Sequence, residues 1–167
     1  MIRIAITGPE SSGKTTLGKA LALELSATFV PEFARDFLAN LDRAYSQADL
    51  TTIAKGQLDV MLSSSAEIQI IDTDFIVLKI WSEEKYASTS IAIEELISKN
   101  YFDLHILCTP DIPWESDPLR ENPNDRNRLF QLYHESLTKM NKPFIIVNGP
   151  HNNRLTKSLS TINAISK

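Results

Sequence analysis

Five short apolar runs alternate with longer amphipathic stretches along this chain. The runs are Ile2-Arg3-Ile4-Ala5-Ile6, Thr28-Phe29-Val30, Ile68-Gln69-Ile70-Ile71, Leu104-His105-Ile106-Leu107-Cys108 and Phe144-Ile145-Ile146-Val147. Each is too short for a helix and rich in β-branched residues, the pattern of strands buried on both faces. Helical spacing fills the gaps. Leu17, Ala20, Leu21 and Leu25 share one face, and a second helix is expected to begin at Pro31, where a missing N–H costs little. Ser46 with Asp49 reads as a capping box opening a helix that carries Leu50, Ile53, Leu58, Met61 and Leu62. Further helices are predicted from Phe75 to about Tyr86, Ile91 to about Ser98, about Asp125 to Met140, and roughly Asn153 to Ile165. Strands alternating with helices imply an α/β protein of three layers, α/β/α, around a five-stranded parallel sheet. Ligands gather at the carboxyl ends of such strands.

No repeat or linker interrupts the pattern, so a single domain over residues 1–167 is expected. The hydrophobic share of 43% suits a sizeable core. A net charge of -4 argues against a general nucleic-acid or anionic-membrane binder, so any phosphate affinity must be local. No run approaches a membrane span, and Met1-Ile2-Arg3 leads directly into the first strand. Neither membrane insertion nor a signal peptide is expected, and the cytoplasm is the expected location. Cys108 ends an apolar run and is expected in the core. His105, His134 and His151 have no ligand spacing, and no zinc site follows.

The chemistry concentrates after the first strand, in Gly8-Pro9-Glu10-Ser11-Ser12-Gly13-Lys14-Thr15-Thr16. A strand before it and a helix after it make this a P-loop in its working context. Backbone N–H groups at a helix N-terminus meet the crowded charge of a triphosphate with aligned dipoles. Gly8, Glu10, Ser11, Ser12, Gly13, Lys14, Thr15 and Thr16 are the ATP-binding candidates. Lys14 can bridge the β- and γ-phosphates, and the Thr15 hydroxyl can complete the shell of Mg²⁺.

Asp72 stands at the end of the third strand, where P-loop enzymes place a carboxylate that orders Mg²⁺ or deprotonates an acceptor. Asp74 follows as a substrate-binding candidate; the alternative is that it only caps the helix beginning at Phe75. A GTPase switch would want Asp-x-x-Gly here, but the fourth residue is Phe75. A motor ATPase usually has Asp-Glu, whereas Thr73 follows Asp72. Asn141-Lys142-Pro143 lacks the Asp of a guanine-specifying loop. These absences favour a small-molecule kinase. Glu32, Arg35 and Asp36 follow strand two and would grip an acceptor's hydroxyls; the alternative is a surface ion-pair ladder.

Between strands four and five, the polar stretch Asp111-Ile112-Pro113-Trp114-Glu115-Ser116-Asp117-Pro118-Leu119-Arg120 reads as a lid, extending over about 111–128. Trp114 lacks apolar neighbours and suits stacking on a flat, cationic ring. Arg126 lies one turn before the apolar stripe of Leu129, Phe130, Tyr133 and Leu137, and an arginine there needs an anionic partner. Arg126 and Arg120 are therefore the candidates for closing over the triphosphate, with Arg128 turned to solvent. Asn148-Gly149-Pro150 is a tight turn that either borders the adenine or only links strand to helix.

Four segments in this order, Gly8 to Thr15, Pro31 to Asp36, Asp72-Thr73-Asp74-Phe75 and Asp111-Ile112-Pro113-Trp114, resemble the ribosylnicotinamide kinase domain of bacterial NadR-type proteins. The similarity runs nearly end to end. It implies a P-loop NTPase fold of the nucleoside and nucleotide kinase type. It further implies transfer of the ATP γ-phosphate to the 5′-hydroxyl of nicotinamide riboside, with Trp114 on the pyridinium ring. In the expected site, Lys14, Asp72, Arg120 and Arg126 act in catalysis, and Thr15 with Asp72 orders Mg²⁺. Asp72 leads as the base, with Glu32 or Asp36 as alternatives. Other acceptors, such as thiamine or another nucleoside, and a regulatory ATP-binding module stay open.

Overall fold

The computed structural model describes residues 1–117 and 120–166. Its strands are β1 (Ile2–Thr7), β2 (Thr28–Val30), β3 (Ile68–Asp72), β4 (Leu104–Cys108) and β5 (Phe144–Val147). The helices are α1 (Lys14–Glu24), α2 (Phe33–Ala39), α3 (Gln47–Leu62), α4 (Phe75–Tyr86), α5 (Ile91–Ser98), α6 (Arg126–Lys139) and α7 (His151–Ile165). The strands form one parallel sheet in the order β2-β3-β1-β4-β5.

The two-residue period of the strands sorts their side chains between two cores. Ile4, Ile6, Ile70, Leu104, Ile106 and Cys108 pack under α1 and α7. Ala5, Ile71 and Leu107 point the other way, into a larger core with residues of α2 to α6. Both faces are covered, which is why these strands read as continuous apolar runs. Cys108 is fully buried, as expected. No helix among the described residues is long and apolar enough to cross a membrane.

Two element starts differ from expectation. Helix α2 begins at Phe33 with Glu32 extended as its N-cap, so Pro31 lies outside the helix. Gln57 of α3 dictates this: its amide group accepts from the Phe33 N–H at 2.8 Å and donates to the Pro31 carbonyl at 3.2 Å. Helix α7 begins at His151, which brings Arg154 into its first turn. The capping box at Ser46 and Asp49 forms as the spacing indicates. The register pairs Ile6 with Asp72 and Thr7 with Leu107, so the ends of β1, β3 and β4 are level beside the phosphate loop.

Candidate active site

The loop between β1 and α1 owes its shape to backbone that turns where side chains are hardest to place. Gly8 has φ 131, and a Cβ there would stand 2.7 Å from the Cys108 carbonyl oxygen. Gly13, at φ 80, caps α1. The Ser12 hydroxyl donates to the Pro9 carbonyl at 2.8 Å and closes the turn from within. The Lys14 ammonium donates to the carbonyls of Gly8 and Pro9 at 3.0 and 2.9 Å, and so lies across the bowl of the loop.

Thr15 donates its hydroxyl to Asp72 Oδ2 at 2.6 Å. Asp72 is 3% exposed and does not line the cavity; it acts on the site through Thr15. Among the described residues no group of three His, Cys, Asp or Glu side chains is placed to hold a metal. A hydroxyl with a carboxylate behind it still fits Mg²⁺, a hard cation that keeps most of its shell as water and substrate phosphate oxygens.

A cavity of about 440 Å³ opens from the loop. Gly8 and residues 10–16 form its floor; Glu32, Ala34, Arg35 and Leu38 form one wall. Val77, Ile80, Trp81, Glu84 and Lys85 of α4 form another, with Leu129 and Tyr133 of α6 beside them. Arg120 and Glu121 close it from above. Burial raises the Glu32 carboxyl above the ordinary glutamate range; Lys14 pulls it down and Asp72 pushes it up. Arg35 pairs with Asp117 at 2.9 Å.

Some expected site residues lie elsewhere. Asp36 is exposed and outside the cavity, because helix α2 turns it away from Glu32 and Arg35. Asp74 is fully buried, accepts from the Val77 N–H at 2.9 Å as the cap of α4, lies 3.5 Å from His105 Nε2 and does not line the cavity. Arg126 donates to the carbonyls of Ser11 and Ile112, both at 3.0 Å, and does not line the cavity; Arg120 does. Trp114 is half-buried outside the cavity, with the Arg120 and Arg126 guanidiniums 5.9 and 5.7 Å from its ring centroid. Arg128 is half-exposed and pairs with Glu84 and Asp125. Of the lid, Pro118 and Leu119 lie outside the described residues.

The lid rests on side chains of the phosphate loop. Glu10 accepts from the Glu121 N–H at 3.0 to 3.1 Å and from the Asn122 N–H at 2.9 Å. Ser11 Oγ accepts from the Glu115 N–H at 2.9 Å and from Arg120 at 3.4 Å. Glu10 and Ser11 thus face the lid as well as the cavity.

Arg154 is one residue that sequence reasoning missed. It is 3% exposed and donates to the carbonyls of Ser12 at 2.8 Å, Gly149 at 2.9 Å and Thr109 at 3.1 Å, and also to Asp111. Asp111 accepts in turn from the Gly149 N–H at 2.6 Å, so the Asn148-Gly149-Pro150 turn is part of this brace. A signal was present: Arg154 precedes the buried Ser158 and Ile162 by one and two turns, the inward stripe that drew attention to Arg126. Trp81 and Lys85 were also missed, because both lie within the predicted helix from Phe75 to about Tyr86 with no motif around them.

Known proteins give this arrangement a context. The Trifunctional NAD biosynthesis/regulator proteins NadR of Salmonella typhimurium and Escherichia coli are each 31% identical over 153 residues, which is 86% of this chain and 37% of theirs. The chain therefore spans little more than a third of the curated relatives it matches. In structure it is similar to NadR in complex with NR, at a TM-score of 0.75 and 21% identity over 98% of this chain and 51% of that one. It is similar also to deoxyadenosine kinase from M. mycoides, at a TM-score of 0.66 and 16% identity over 98% and 100%. The fold is that of the P-loop nucleoside kinases. Residues 3–154 match the family described as AAA domain, a stretch running from the first strand to the arginine braced behind the phosphate loop, and the chain belongs to that family of P-loop proteins.

Proposed function

We propose that the chain is an ATP-dependent phosphotransferase whose acceptor is the 5′-hydroxyl of nicotinamide riboside. The observation that carries the reading is the meeting of Lys14, Thr15 and Glu32 in a cavity that Val77, Ile80, Trp81, Leu129 and Tyr133 also line, with Glu84 and Lys85. The loop amides and Lys14 hold the triphosphate, and Arg120 faces it from the lid. Thr15, with Asp72 behind it, would hold Mg²⁺, which supplies charge neutralisation on the phosphate oxygens.

Glu32 is the base in this reading. Asp72 is committed to Thr15 and Asp36 is turned outward, which leaves Glu32 as the carboxylate of the three on the cavity wall. The acceptor oxygen bonds to the γ-phosphorus, the bond to the bridging oxygen of ADP breaks, and the acceptor proton passes to Glu32. A carboxyl raised by burial accepts a proton more readily at neutral pH. The relatives' names and a NadR complex with NR support the acceptor, and a NadR complex with NAD and AMP-PNP supports the donor. A cytoplasmic setting belongs to the same proposal.

The test is ADP release with nicotinamide riboside and Mg·ATP, with mass detection of the phosphorylated product. Lys14→Ala is expected to lower turnover by two or more orders of magnitude with the fold intact. Wild-type turnover in that variant overturns the proposal. ATP binding without transfer to any acceptor in a panel including thiamine and nucleosides leaves a nucleotide-binding regulator instead.

A further inference from the structure

Away from the phosphate loop the cavity extends into a slot lined by α2, α4 and α6 that the proposed step does not use. Helix α4 presents Val77, Trp81 and Lys85 to it one turn apart, across from Leu38 and Tyr133. The indole of Trp81 is held by its polar edge. Its N–H donates to the Tyr45 hydroxyl at 2.9 Å, and the Tyr45 ring meets it edge-on at 5.2 Å between centroids. The same hydroxyl bonds to the Glu121 carboxylate at 3.1 Å, and the Lys85 ammonium lies 3.6 Å from the Tyr45 ring centroid and 3.3 Å from Glu121. With its one polar atom satisfied, Trp81 offers the slot an apolar, pre-positioned aromatic surface.

Trp114 stands in the opposite environment. Two guanidiniums lie within 6 Å of its ring centroid, and it does not line the cavity. A ring bearing positive charge would meet two like charges there. At Trp81 the nearby ammonium is matched by Glu121, and the Glu84 carboxylate at the same end of the slot is matched by Arg128, so both of these cations have a counter-charge.

We infer that Trp81, rather than Trp114, receives the planar ring of the acceptor, with Tyr45 as a positioning residue behind it. The inference rests on the kinase reading above and sharpens its acceptor class: a hydroxyl-bearing sugar joined to a planar heteroaromatic ring, cationic or neutral. The sugar faces Glu32 and the ring lies along α4. Stacking on an aromatic side chain tolerates different rings because each has a π-face.

The chain has two tryptophans, so intrinsic fluorescence separates the alternatives. A pyridinium ring stacked on an indole quenches its emission. Nicotinamide riboside is titrated into the wild type, Trp81→Phe and Trp114→Phe. Saturable quenching is expected in the wild type, with the same midpoint in Trp114→Phe and none in Trp81→Phe. Trp81→Ala is expected to raise the acceptor KM on the order of 10- to 100-fold with the ATP KM within about twofold, which also shows that the variant is folded. Tyr45→Phe is expected to raise the acceptor KM several-fold with kcat held, a split that a purely structural role would not produce. Quenching that survives in Trp81→Phe and is lost in Trp114→Phe overturns the inference and leaves the kinase reading standing. A wild type that neither quenches nor phosphorylates nicotinamide riboside, yet phosphorylates only acceptors without a sugar-linked planar ring, overturns the acceptor proposal and this inference together; transfer to a different nucleoside, with its KM raised in Trp81→Ala, overturns the acceptor proposal alone.

Discussion

Replacing Arg154 by alanine tests whether the phosphate loop is held from behind by a single side chain. The guanidinium is 3% exposed and satisfies three backbone carbonyls, those of Ser12, Gly149 and Thr109, as well as Asp111. Alanine leaves the three carbonyls without their donor, at about 1 kcal/mol each. Asp111 is 39% exposed, so water replaces much of what the ion pair supplied and the loss there is at most about 1 kcal/mol. The sum is about 3 to 4 kcal/mol, which for a domain of this size lowers Tm by about 6 to 16 °C. Thermal unfolding followed by circular dichroism reads the stability, and calorimetric titration with Mg·ATP reads the loop. Affinity falls as well, because the Ser12 carbonyl is freed and the amides around it lose their fixed direction. Arg154→Lys keeps the charge but not the fork, and is expected to fall between wild type and alanine. The pH dependence follows from Asp111. Burial pushes its carboxyl up, but hydrogen bonds from Thr109 and the Gly149 amide, with the charge of Arg154, outweigh this and leave it below the usual 3.8. A carboxyl lowered in the folded state contributes stability that is fully present above 3.8 and lost as pH falls from there through the lower folded-state value, so the gap between wild type and variant narrows in acid. A variant that melts within about 2 °C of wild type and binds ATP equally well refutes the bracing role.

Three further outcomes are expected. Glu32→Gln lowers kcat by about 10² to 10⁴ and removes the acid limb of the wild-type pH profile, which rises through a value above 4.5. Because the folded-state value is raised, Glu32 stabilises only at low pH and loses that contribution as pH rises through it, so the glutamine variant melts higher than wild type at neutral pH; undiminished kcat would show that Glu32 is not the base. Gly8→Ala, at φ 131 and with a Cβ 2.7 Å from the Cys108 carbonyl oxygen, destabilises by roughly 1 to 3 kcal/mol in urea unfolding, and an unchanged midpoint would contradict the required turn. Glu10→Ala removes the acceptor for the Glu121 and Asn122 amides, and their hydrogen exchange is expected to quicken by about tenfold; equal protection in the variant would place the support of the lid elsewhere.

Much of this protein was legible from residues close together in the chain. The five strands, the Ser46 and Asp49 capping box, the phosphate loop and the place of Asp72 at a strand end all follow from spacing over a few residues, which is the range over which backbone conformation is decided. Which inward-facing side chain meets which partner is settled over longer distances. Arg126 and Arg154 carry the same signal, a cation on a buried stripe. Yet Arg126 ends on Ser11 and Ile112 outside the cavity, and Arg154 crosses 142 positions of sequence to hold Ser12. Asp74 and Glu32 each stand just before a helix near a strand end; burial against His105 makes one a cap, and the open cleft beside Lys14 makes the other a cavity carboxylate. Trp114 looked available because its chain neighbours are polar, but the fold of the β4–α6 connection brings two arginines to its ring, and Trp81, an unremarkable helix position in one dimension, faces the slot. Local spacing thus determined the elements and the phosphate loop, whereas the packing of distant elements decided the far end of the cavity, because the charge and space around a side chain are made by residues that only the folded chain assembles.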